Sequence, residues 1–132
     1  ITPAAGFVNA GQSIFIGFSA SMVSYFAVRL KSRTSIDDTL DVFPCHGLGG
    51  IVGMILTAVF AEQSGAIYGD ATLLLYHLLA LVIVSLFTFG GSYLLYKVTD
   101  LILPMRVTEL QEERGLDITQ HGELATDIRD SY

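Results

Sequence analysis

The chain holds no tryptophan, one cysteine and three prolines among its 132 residues, and charged side chains make up only 15% of it. Each shortage excludes something. A lone Cys45 forbids an internal disulfide, and no Cys/His group has metal-ligand spacing, so neither a metal nor a cofactor is expected. The seven Lys and Arg residues are never adjacent, which leaves no basic patch for nucleic acid. The apolar segments contain no paired carboxylates and no nucleophile beside a base, which argues against an enzyme.

What the chain does have is apolar length. Hydrophobic residues make up 52% of it, with a mean hydropathy of +0.57, well beyond an ordinary soluble domain. Residues 7–30, 42–61 and 71–98 are each long and apolar enough to cross a bilayer. At about 1.5 Å per residue the middle stretch covers roughly 30 Å, the thickness of the hydrocarbon core. The third reaches about 42 Å, so it tilts or projects. The expected fold is an all-α membrane protein, with a transmembrane portion over residues 1–98 and a soluble tail over 99–132. The net charge of −6 belongs mostly to that tail, which carries eight acids against three bases.

Loop charge sets the orientation. Arg29, Lys31 and Arg33 flank the end of the first span, and Lys97 and Arg106 flank the end of the third. The 62–70 connection has neither Lys nor Arg. By the positive-inside rule, residues 31–41 and the tail are cytoplasmic, and the 62–70 turn and the N-terminus lie outside. The expected location is the cell membrane, crossed several times. The chain opens on Ile1 with no signal-like segment, and it reads as the C-terminal piece of a longer polypeptide.

Four features stand out against this apolar background. His46 is the only ionisable ring in the middle span, and such a group inside a membrane points to function by default. Gly47, Gly49, Gly50 and Gly53 surround it. Gly49 and Gly53 form G-x-x-x-G, and His46, Gly49, Gly50, Gly53 and Thr57 are expected on one helix face, as a tight packing surface or the wall of a narrow conduit. In the first span Ser13, Gly17, Ser21 and Ser24 form a small-residue stripe, read as packing with a polar path as the alternative. Asp41 is placed to cap the middle helix, with Pro44 tolerated in its first turn.

Elsewhere the expectations are plainer. Asn9 and Gln12 suit interfacial solvation. The third span is apolar all round, as for a lipid-facing helix, with His77 and Tyr76 in the outer aromatic belt. The tail reads as a short helix over 109–114, then a turn at Gly115-Leu116-Asp117, with His121 in water.

The run Asp38-Thr39-Leu40-Asp41-Val42-Phe43-Pro44-Cys45-His46-Gly47, continuing to Gly53, resembles the penultimate span of the ammonium transporter family, which includes the Rhesus-type channels. Ile1-Thr2-Pro3-Ala4-Ala5-Gly6-Phe7-Val8 resembles the start of the span before it. Gly115-Leu116-Asp117 with His121-Gly122-Glu123 resembles the family's regulatory tail and favours the transporter branch. The resemblance implies the last three helices of an eleven-helix fold, assembled as a homotrimer with one pore per subunit. It implies that His46 is the second of two facing pore histidines, the first lying outside this chain. Val42 then narrows the cytoplasmic half of the pore, and Thr2 reaches the pore wall. Gly47, Gly49, Gly50 and Gly53 pack beside it. The tail residues Gly115, Asp117, Thr119, His121, Gly122 and Glu123 couple subunits, with Thr119 at a position phosphorylated in some relatives. Ala125 fits that pattern, whereas Thr126 replaces a common aromatic residue. The implied partners are ammonium or ammonia, the lipid bilayer and a PII-type regulator. The competing reading is a truncated, non-conducting remnant that acts in assembly or regulation.

Overall fold

The computed structural model describes residues 2–69 and 71–123. Among these every regular element is a helix, and three helices are long and apolar enough to cross a membrane: Ala10–Lys31, Phe43–Phe60 and Thr72–Ile102.

Residues 2–8 are not part of the first helix. Thr2–Ala4 form a single 3-10 turn, and Gly6 takes a left-handed φ of 81°. Helix α1 (Ala10–Lys31) starts where Asn9 accepts the Gln12 backbone N–H and the Gln12 side chain returns a bond to the Asn9 N–H. This reciprocal capping box satisfies two N–H groups that a helix otherwise leaves unpaired. The Asn9/Gln12 pair therefore sets a helix start, and the expected span beginning at Phe7 starts three residues later.

The middle span opens with a π-helix, Phe43–Leu48, and continues as α2 (Gly49–Phe60). The cap is not the expected one. Asp38 places its two carboxylate oxygens on the backbone N–H groups of Val42 and Phe43, each at 2.9 Å. Asp41 instead adopts a left-handed φ of 53°, gives its carbonyl to the Cys45 N–H and pairs its carboxylate with Lys31. That φ turns its side chain away from the freed amides, and Asp is among the few residues that tolerate the conformation. Lys31 also donates to the Asp38 carbonyl, which ties the end of α1 to the start of the middle span.

α2 packs on α1 through small residues. Gly49, Gly53, Thr57 and Ala58 are buried on one side and Ile16 on the other. Phe15 and Phe60 meet edge to face with ring centroids 5.5 Å apart. A Cβ on Gly49 would lie 3.3 Å from Ser24 Oγ, so glycine sets how closely the helices approach. The leading residues run alongside, and the Glu62 N–H donates to the Phe7 carbonyl at 2.8 Å. Below α2 the chain turns tightly at Gly65, where a Cβ would come within 2.7 Å of Ala61 backbone atoms.

Helix α3 (Thr72–Ile102) buries no residue. It extends past the expected end at Val98. His77 does not reach outward as expected of a belt residue. Its Nδ1 lies 2.9 Å from the Met54 carbonyl oxygen. A carbonyl only accepts, so Nδ1–H donates, and the bond joins the start of α3 to the middle of α2.

The chain divides into two compact units at Phe87/Thr88, so the second half of α3 belongs with the segment that follows it. After α3 the Met105 N–H bonds Asp100. Arg106 then grips Glu112 through two parallel bonds of 2.8 and 3.2 Å. Helix α4 (Glu109–Arg114) starts with a Thr108/Gln111 capping box and ends at Gly115, whose φ is 91°. A π-helical turn, Asp117–His121, closes at Gly122 with φ 67°.

Candidate functional site

His46 sits in the middle of the π-helix. That winding places about one more residue per turn than an α-helix, and single turns of it recur at functional sites. Gly47 makes the winding compatible with its neighbours: a Cβ there would lie 2.8 Å from the Phe43 ring. Gly47 therefore accommodates Phe43 of its own segment and not a neighbouring helix.

A cavity of about 430 Å³ opens beside His46, and Thr2, Ser21, Ser24, Cys45, Gly49 and Gly50 share its wall. Thr2 and His46, far apart in the chain, thus face one space. The expected single face of His46, Gly49, Gly50, Gly53 and Thr57 divides in two, with Gly49 at the join: it is buried against α1 and also borders the cavity of His46 and Gly50. Gly49, Gly53 and Thr57 form the buried ridge against α1, and Thr57 donates its hydroxyl to the Gly53 carbonyl at 2.6 Å. Gly50 has nothing within 4 Å of its absent Cβ and belongs to the cavity wall. Successive helical residues turn by about 100°, so Gly50 cannot share the direction of Gly49.

Val42 does not line that cavity. It faces a second, apolar cavity of about 560 Å³ at the Lys31 end of the pair, with Leu30, Ile36, Phe43 and Gly47. The two spaces lie on different faces of the middle span, Phe43, Pro44, Gly47 and Leu48 lining one and Cys45, His46, Gly49 and Gly50 the other, so Val42 and His46 address them separately.

The polar groups around this end are fixed outside the spans. The Phe43 and Val42 amides hold the Asp38 carboxyl below the usual carboxylate range. In the tail the Arg106 guanidinium does the same for Glu112. Thr119 donates its hydroxyl to the Gly115 carbonyl at 3.0 Å and is half-buried, whereas Asp117, His121, Gly122 and Glu123 are exposed. The Glu123 N–H bonds the Asp117 carbonyl at 2.9 Å, closing that turn. Ala125 and Thr126 lie outside the described residues. Among the described residues no group of His, Cys, Asp and Glu side chains could hold a metal ion.

One residue here escaped the sequence reading: Asp38 was detectable as the cap, because it stands four residues before Val42 and carries the side chain a helix start needs. Ser24 was read only as one of a stripe with a polar path as the alternative; the structure puts Ser21 and Ser24 of that stripe on the wall with His46.

Helices of spanning length, and a cavity lined by hydroxyls and an imidazole between two of them, define a multi-pass α-helical membrane protein. A sequence profile of the Ammonium Transporter Family matches residues 1–126. The chain is 42% identical to the ammonium transporter of Bacillus subtilis (95% of this chain, 33% of that protein). It is 38% identical to ammonium transporter 1 of Dictyostelium discoideum (95% and 29%) and 35% identical to ammonium transporter Amt1 of Archaeoglobus fulgidus (95% and 33%). The chain belongs to the ammonium transporter family, a family of transporters and not of enzymes. It spans about a third of the length of these relatives.

Proposed function

We propose that this chain supplies the His46-bearing wall of a pore that strips a proton from ammonium and passes neutral ammonia. The observation that carries the reading is the shared cavity of His46 and Thr2, walled by hydroxyls and by glycines that keep it open. Moving a bare cation into a low-dielectric passage costs nominally tens of kcal/mol by Born reasoning. Ammonia has no such barrier and needs only hydrogen-bond partners. Potassium has no proton to give up and stays out. A neutral imidazole donates from one nitrogen and accepts at the other, which suits a relay of ammonia or of its proton.

In this reading a second histidine from outside the chain faces His46, and Val42 narrows the way toward the cytoplasm. Three subunits assemble in the cell membrane, each with its own pore, and take up nitrogen as ammonium. The cytoplasmic tail, Gly115 to Glu123, couples neighbouring subunits and offers a surface to a PII-type regulator. Phosphate on Thr119 would add nearly two negative charges and remove the hydroxyl that now bonds Gly115, which favours release of the turn.

The test is His46→Ala in the whole protein that carries this segment, followed by ammonium flux into liposomes. Selective flux is expected to vanish while trimer assembly stays intact. Normal selective flux in the variant defeats the proposal. A trimer that forms but carries no flux even with His46 present would mark a non-conducting assembly partner instead.

A further inference from the structure

The hydroxyls of the α1 stripe are not equivalent. Ser13 returns its proton to the Ala10 carbonyl at 2.8 Å, and Ser21 returns its own to Gly17 at 2.9 Å. Such back-bonding is how a serine ordinarily satisfies itself inside a helix. Ser24 makes no such bond and has no hydrogen-bond partner among the described residues. Its Oγ stands 3.3 Å from where a Gly49 Cβ would be, and the residue lines the cavity with His46. Ser24 is half-buried at the seam of α1 and α2, with its hydroxyl proton and both lone pairs uncommitted. A hydroxyl that bonds nothing of its own is free to bond whatever enters the cavity it lines.

Resting on the pore reading above, we infer that Ser24 is a substrate-contacting residue: its hydroxyl and the His46 ring form one hydrogen-bonding station for neutral ammonia. The chemistry is complementary. Ammonia is a strong acceptor through its single lone pair and a weak donor through three N–H groups. Ser24 O–H donates to that lone pair, and the Ser24 oxygen accepts an N–H once the molecule turns. Ser21 can only accept, because its proton is spent on Gly17. Gly49 keeps the station accessible, since any side chain there presses on Ser24 Oγ.

The experiment compares Ser24→Ala, Ser24→Thr and His46→Ala in the whole protein reconstituted in liposomes. Ser24→Ala is expected to lower maximal ammonium flux about fivefold, the effect of losing one neutral hydrogen bond, with trimer yield and thermal midpoint unchanged. Ser24→Thr keeps a hydroxyl and restores most of the flux. Wild-type flux in Ser24→Ala overturns the inference while leaving the pore reading standing, provided His46→Ala is dead. Equal losses in Ser24→Ala and Ser24→Thr, accompanied by loss of trimer, would show that the serine only packs against Gly49 and would overturn it too. Normal flux in His46→Ala removes the pore reading itself.

Discussion

α2 and α3 are both apolar, yet they use their residues in opposite ways. α2 is rich in glycine and buries Gly49, Gly53, Thr57 and Ala58 against α1. α3 is rich in leucine, valine and phenylalanine and buries nothing, with Leu86 and Phe87 exposed at 70% and 80%. In water large apolar residues go inside. In a bilayer the lipid already satisfies them, and small residues mark where helices touch. The contrast therefore separates a helix that builds the site from one that meets its surroundings. It also isolates His77, whose bond to the Met54 carbonyl is the one hydrogen bond between α2 and α3 among the described residues.

The sharpest way to break the contrast is to fill the buried ridge. Gly53→Leu should destabilise the α1/α2 pair by about 3 kcal/mol, at the upper end of overpacking costs. Loss of thermal stability in detergent checks it, and an unchanged midpoint would show that the ridge is not packed. His77→Phe keeps the volume and removes the donor to Met54. The expected cost is about 1 kcal/mol, read as faster proteolysis of the connection at 62–71. Leu86→Ala should change stability by no more than about 0.5 kcal/mol, as for any unpacked surface position. A cost as large as that of Gly53→Leu would reveal a protein partner covering α3.

Asp38 supplies an effect that depends on pH. Its carboxyl is held low by the Phe43 and Val42 amides, so its stabilising contribution is present above the unfolded carboxylate value of about 3.9 and fades as pH falls below it. The stability gap between wild type and Asp38→Asn should stay constant from pH 8 to pH 5 and close only in stronger acid. A gap that closes between pH 7 and pH 5 would contradict this placement. Asp41→Asn, which keeps a residue tolerant of the left-handed backbone, should lose the Lys31 pair but leave the helix start in place.

The three spans were legible in the sequence because length and apolarity are summed over twenty or more residues, and local errors average out. Their beginnings were less so. A capping box depends on two side chains acting together, and the Asn9/Gln12 pair looked equally suited to interfacial water. Asp38 and Asp41 both precede the middle span, and only the backbone turn at Asp41 decides between them. The glycine row was half legible: period alone joined Gly50 to Gly49 and Gly53, whereas the direction of each residue separates them. The π winding left no sequence mark beyond Gly47, whose need becomes clear once the Phe43 ring is seen over it. Likewise His77 looked like any belt histidine until a carbonyl was found within reach.

The wide turn through Phe43–Leu48 carries a residue that ordinary winding would not need. A segment with such slack can lose one position and still thread the same distance, leaving the ridge of Gly49, Gly53 and Thr57 where it was. Everything upstream would then swing by about 100°, carrying the imidazole off its wall. Length can vary at this point of the protein only by moving His46 off the cavity it shares with Thr2.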